Sequence, residues 1–190
     1  MAREQWVEEL PKGIVCAEIG VQRGKFARRI FDAVQPQVLY LVDCWRTIYK
    51  QEGDVVPYVN AHYQKLQLYI TVKRFRNEIL SGRVRPLIAF SKEAASLMQD
   101  GHLDFVYIDA FHAYEDCYED ITLWAPKVKS GGIVAGHDYH KNGPFGECGV
   151  PRAVDQYVAE HGLSLNLVED NPMRVHGRVW ESQTWWFKKP

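Results

Sequence analysis

Five short apolar runs, each ending in a polar or glycine-containing turn and followed by a stretch of helical periodicity, constrain this chain more than any other feature. They are Ile14 to Ile19, Val38 to Val42, Val84 to Ala89, Phe105 to Ile108 and Ile133 to Ala135. Strands that are apolar on both faces must be covered on both faces, and parallel neighbours need a crossover. The pattern therefore predicts repeated βα units around a doubly wound parallel sheet. Further on, Val150 to His161 reads as a helix, with Pro151 in its first turn and Gly162 just past its end. Leu163 to Val168 and Thr184 to Phe187 read as two strands joined by a polar loop that holds Asn171, Pro172 and Gly177. The sheet is thus expected to finish in a hairpin-like antiparallel pair.

At 190 residues, 46% of them apolar and 13% aromatic, the chain has enough material for one compact domain spanning 1–190. Charge is balanced, 24 acidic against 23 basic side chains, so a broad basic surface for nucleic acid or anionic lipid is not expected. Cys16, Cys44, Cys117 and Cys148 are widely separated and form no CxxC pair, which suggests reduced thiols, a cytoplasmic setting and no zinc site. No run approaches the length of a membrane span, and the charged N-terminus does not read as a signal peptide. A homo-oligomer is possible on this sequence. About forty residues separate Asp43 from Val84, more than a simple crossover requires. That insert, 44–83, carries Trp45, Tyr49, Tyr58, Tyr63, Tyr69 and Phe75, which either cover a site or pack an added helix.

The first run leads into AEIGVQRGKFARRI, placing Glu18, Gly20 and Gly24 where a strand turns into a helix. In an open parallel sheet ligands bind at this carboxyl edge, and glycine permits close backbone approach. The spacing Gly20-x-x-x-Gly24 lacks the G-x-G-x-x-G arrangement that seats a dinucleotide pyrophosphate, so a nicotinamide-dependent oxidoreductase is the weaker alternative. The second run ends in Asp43, roughly twenty residues on, where an acidic side chain accepts hydrogen bonds from ribose hydroxyls. Together the two positions favour an adenosine-type ligand.

With Glu18, Gly20, Gly24 and Asp43 in place, the chain resembles class I S-adenosylmethionine-dependent methyltransferases. The stretch LDFVYIDAFHAYEDCYEDITLWAPKVKSGGIVAGHDY is similar to the methyltransferase-domain-24 family, related to macrocin and catechol O-methyltransferases. The resemblance implies an α/β, Rossmann-like, mostly parallel seven-stranded sheet with a C-terminal antiparallel strand and helices on both faces. It also implies S-adenosylmethionine as cofactor and a small-molecule acceptor, such as a sugar, phenol or natural-product hydroxyl. Carried onto matching positions, it puts Glu18 and the glycine loop near the methionine part, Asp43 on the ribose and Phe90-Ser91 beside the adenine, with Trp45 flanking the ribose or adenine. Ser91 also reads as a helix N-cap, a compatible role.

Asp109 and Asp138 end neighbouring strands and should project into one crevice. In metal-dependent relatives these positions correspond to magnesium-binding carboxylates, so the resemblance makes Asp109 and Asp138 candidate ligands for Mg²⁺. Tyr139 departs from that pattern, which has asparagine as third ligand. The alternative has Asp138 capping a turn and Asp109 binding the cofactor's amino group or holding a histidine. His112, three residues after Asp109, is the expected general base, with His137 and His140 competing for the role. Glu115, Asp116, Glu119 and Asp120 read as a solvated helix face and carry no assignment. A binding module that retains the cofactor pocket without transfer chemistry is the non-enzymatic alternative.

Overall fold

The computed structural model describes residues 2–46, 61–140, 142–143, 146–169, 173–175, 178–180 and 182–190. Tyr49 and Tyr58 of the insert, and Asn171, Pro172 and Gly177 of the expected loop, lie outside the described residues. The sheet strands are β1 (Val15–Ile19), β2 (Val38–Asp43), β3 (Val84–Ile88), β4 (Leu103–Ile108), β5 (Val128–Gly136), β6 (Asn166–Glu169) and β7 (Gln183–Lys188). They form one seven-stranded sheet in the order β3-β2-β1-β4-β5-β7-β6. The first five pair in parallel, while β7 runs antiparallel to both β5 and β6. The α/β fold with an antiparallel finish is therefore as expected. Where a polar loop was expected between β6 and β7, Met173–Val175 and Arg178–Trp180 pair as a small antiparallel ribbon.

Strand β1 explains the layering. Its residues Cys16, Ala17, Glu18 and Ile19 are all buried, so both faces are covered. Ala17 and Ile19 join the core packed by α5 (Ser91–Ser96), α6 (Tyr114–Trp124) and α7 (Val150–Glu160). Cys16 joins the opposite core, formed with α1 (Arg3–Glu8), α2 (Lys25–Val34) and Phe75. Helix α2 earns its place by spacing: Ala27, Ile30, Phe31 and Val34 recur every three or four residues and are buried. Strand β5 starts five residues before the expected Ile133. Its pairing with β4 shifts register, Leu103 opposing Val128 and Phe105 opposing Ile133, and the polar Lys129-Ser130-Gly131-Gly132 stretch hid this extension in the sequence.

The insert supplies α3 (Ala61–Arg74) and α4 (Arg76–Leu80). Phe75 is fully buried at their junction, whereas Tyr69 is exposed, so the aromatic residues do not act as one group. Among the described residues, no helix is long and apolar enough to cross a membrane. All four cysteines are free thiols.

Candidate active site

At the carboxyl edge of the sheet, the chain leaving β1 is bent by two left-handed residues, Gly20 (φ 86°) and Gln22 (φ 50°). A methyl group on Gly20 would lie 2.0 Å from the carbonyl oxygen of Asp109, so the ends of β1 and β4 touch through backbone alone. Three side chains hold the bend. Asp43 Oδ2 accepts the N–H groups of Val21 and Gln22 at 3.0 and 2.9 Å, and its Oδ1 accepts Trp45 N–H at 2.9 Å. The Gln22 carbonyl accepts the Trp45 indole N–H at 2.8 Å and the Thr71 hydroxyl at 2.9 Å. A left-handed non-glycine residue persists only where its surroundings fix it, and these five bonds do so.

Two cavities open beside this loop. The larger, about 600 Å³, runs over the ends of β1, β2 and β3 between Asp43, Phe90, Ser91 and Phe111, with Gln67 of α3 and Asp120 of α6 as its sides. The smaller, about 290 Å³, lies between Arg3, Glu18, Lys25 and Phe26. Gly20, Gln22, Tyr63 and Asp109 line both, so the two meet at Gly20 and Asp109.

Of the residues expected to touch a cofactor, Glu18, Gly20, Asp43, Phe90, Ser91 and Asp109 line these cavities. Two do not. Trp45 is buried behind the loop, 4% exposed, and braces Gln22 rather than facing ribose or adenine. Gly24 caps α2, and a methyl there would press on Phe75 at 3.0 Å and Thr71 at 3.2 Å, so its role is packing against α3 and α4. The Ser91 hydroxyl donates to Asp120 and accepts the Trp124 indole N–H. Phe90, not Ser91, holds the N-cap position of α5.

Asp120 is the residue that sequence reasoning missed. It is buried, and its burial, reinforced by Asp116 and Glu119, pushes its carboxyl up to about 6. The signal was present in spacing: Cys117, Asp120, Ile121 and Trp124 share the buried stripe of α6.

Past the meeting point of the cavities lies a second group of side chains. His112 Nε2 is 2.9 Å from Asp138 Oδ2 and 3.9 Å from Asp109 Oδ1. His137 Nδ1 and His140 Nε2 approach the same Asp138 carboxylate at 3.2 and 3.4 Å. Asp138 is nearly buried and left-handed (φ 57°), and its three imidazole neighbours hold it well below the usual carboxylate range despite the burial. Burial acts to lower the His112 pKa, but the Asp109 and Asp138 carboxylates outweigh it and push it up to about 10. At neutral pH, His112 in this arrangement already holds the proton that a general base would have to accept. The Tyr139 hydroxyl donates to Asp155 at 2.8 Å, which ties it away from the cluster.

The raised His112 value has a measurable consequence. An imidazole whose folded pKa exceeds its unfolded value of 6.5 contributes stability that is complete below that value and is lost as pH rises toward about 10. In chelator, stability should therefore decline between about pH 7 and pH 10 more steeply in the wild-type protein than in His112→Ala. Parallel pH profiles from denaturant unfolding would show that the charge pair does not form.

A family model described as a methyltransferase domain, that of the methyltransferase-domain-24 family, matches residues 17–139. No curated protein matches the sequence. Among solved structures, the chain is similar to the precorrin-6y C5,15-methyltransferase of Geobacter metallireducens, with a TM-score of 0.66 and 13% identity over 98% of this chain and 86% of that one. It is also similar to the m1A22 tRNA methyltransferase of Bacillus subtilis, with a TM-score of 0.60 and 10% identity over 99% of this chain and 65% of that one. A third, from Streptococcus mutans, was solved in complex with S-adenosylhomocysteine and has a TM-score of 0.59 and 11% identity over 97% of this chain and 94% of that one. At these identities the likeness is one of fold.

Proposed function

Because the chain belongs to the methyltransferase-domain-24 family and is an S-adenosylmethionine-dependent methyltransferase, we propose that its acceptor is a hydroxyl oxygen of a small molecule. The observation that carries this reading is the Asp109–His112–Asp138 group standing beside the junction of the two cavities. The larger cavity takes the adenosine, with Asp43 toward the ribose and Phe90 toward the adenine; the smaller takes the methionyl end. The sulfonium then falls at Gly20 and Asp109, and its methyl faces His112. The balanced overall charge, 24 acidic against 23 basic side chains, gives no sign of the basic excess that a polyphosphate backbone would call for, which supports a small acceptor.

Asp109, His137 and Asp138 each offer a ligand atom, all within 4.8 Å of one another, so the residues fit a divalent cation. Two carboxylates suit Mg²⁺, and the imidazole adds suitability for Mn²⁺ or Zn²⁺. Such a cation, held by Asp109, Asp138 and His137, would lower the hydroxyl pKa and orient the acceptor. His112, whose Nε2 is held by Asp138 and Asp109, would be the group to take the hydroxyl proton during attack if a bound cation shared the charge of those carboxylates. Positioning supplies much of the remaining acceleration, because the methyl donor is already activated.

The test is methyl transfer from S-adenosylmethionine to a panel of phenols and sugars, with bulk tRNA alongside, before and after chelation and divalent add-back. Transfer to a small hydroxyl compound that chelation abolishes and add-back restores is the expected result. Transfer to tRNA alone would overturn the acceptor class, and full activity in chelator would remove the cation.

A further inference from the structure

The smaller cavity is lined by side chains of both signs that the cofactor loop does not itself supply. Arg3 comes from α1, which lies before the family-matched segment. Its guanidinium lies 4.3 Å from the centre of the Phe26 ring and donates to the Tyr107 hydroxyl at 3.4 Å. Phe26 in turn packs on Tyr107 at 4.4 Å between ring centres, and the Tyr107 hydroxyl meets Thr184 at 3.0 Å. The side chain is thus held over a ring and against the sheet, in the wall that also holds Glu18 and Asp109.

Glu18 is 2% exposed, and its Oε2 has no hydrogen-bond partner among the described residues. A buried carboxyl oxygen left without a partner calls for a ligand donor. The methionyl end of the cofactor is a zwitterion, and this cavity presents carboxyl groups for its ammonium and a guanidinium for its carboxylate. A planar guanidinium matches a carboxylate with two parallel hydrogen bonds, which a lysine does not reproduce.

We propose that Arg3 anchors the α-carboxylate of the methionyl end of S-adenosylmethionine, so that α1 is part of the cofactor site. The inference rests on the assignment of the smaller cavity to the methionyl end. Arg23 and Lys25 also line it, but Lys25 is exposed and Arg23 is turned to the Tyr63 hydroxyl at 3.0 Å. Arg3 differs from both in its bond to the hydroxyl of the fully buried Tyr107, which sets it against the buried wall.

The experiment is calorimetric binding of S-adenosylhomocysteine, decarboxylated S-adenosylmethionine and 5′-methylthioadenosine to wild type, Arg3→Ala, Arg3→Lys and Arg23→Ala. Loss of a charge-assisted pair should weaken S-adenosylhomocysteine about tenfold to a hundredfold in Arg3→Ala, less in Arg3→Lys, and little in Arg23→Ala. The two ligands without a carboxylate should bind wild type and Arg3→Ala alike, which also shows that the variant is folded. Equal weakening of all three ligands in Arg3→Ala would mean that Arg3 only supports the fold, and overturns the proposal. Unchanged S-adenosylhomocysteine binding in that variant overturns it as well, leaving the cofactor reading intact. No binding of S-adenosylhomocysteine by the wild-type protein would sink both.

Discussion

Replacement of Asp138 by asparagine should lower the methyl-transfer rate by about 10² to 10⁴-fold while leaving the affinity for S-adenosylhomocysteine unchanged. Asp138 is the carboxylate on which His112, His137 and His140 converge, at 2.9, 3.2 and 3.4 Å. Removing its charge takes away the partner that orients all three imidazoles and one of the two carboxylates available to a cation. Asparagine keeps the shape and tolerates the left-handed backbone found at φ 57°, so the main chain has no reason to move. Because Asp138 is absent from the linings of both cavities, cofactor binding should report the intact fold. A transfer rate within a few-fold of wild type would remove the cluster from the mechanism.

The same substitution separates two explanations of slow turnover. If His112 acts through its charge pair with Asp138, the variant's imidazole should titrate well below the value of about 10 that the pair imposes. The loss then appears as a changed pH profile and not only as a lower rate. A uniform drop at every pH would instead point to a displaced acceptor.

How much of this was legible in the sequence depends on the range of the interaction involved. Strand cores such as Val38 to Val42 and Phe105 to Ile108 are continuous apolar runs, and burial on both faces leaves them no other placement. The start of β5 was not legible, because Lys129 to Gly132 fall in the register shift between Val128 and Ile133, where polar and glycine residues interrupt the apolar run. The glycine loop was found, but its two glycines do different work: Gly20 lines both cavities and Gly24 packs against α3. Trp45 looked like a ligand contact because it follows Asp43, yet the indole turns back to the Gln22 carbonyl across 23 positions of sequence. Asp120 was set aside among its acidic neighbours, although the same helical spacing that buries Ile121 and Trp124 buries it too. Arg3 could not be found from local pattern, since its partners Phe26 and Tyr107 come from other elements.

The two glycines allow a paired test of that division. Alanine at Gly20 must adopt φ near 86° and place its methyl 2.0 Å from the Asp109 carbonyl oxygen and 2.8 Å from Ala110 Cα. Those atoms belong to the backbone leaving β4, so relief requires β1 and β4 to part at the point where the cavities meet. The left-handed strain and the overlap together should cost about 3 kcal/mol or more. For a chain of this size that lowers the melting temperature by about 6–12 °C. Binding of S-adenosylhomocysteine should be lost with it, since the contact being forced apart is the floor of the site. At Gly24 the methyl meets a Phe75 ring edge at 3.0 Å and a Thr71 methyl at 3.2 Å, side chains able to yield by tenths of an ångström. Gly24→Ala should therefore cost about 1–2 kcal/mol, mostly from its left-handed φ of 65°, and retain cofactor binding. The reverse order of effects, with Gly24→Ala abolishing binding and Gly20→Ala tolerated, would place the cofactor on the wrong end of the loop.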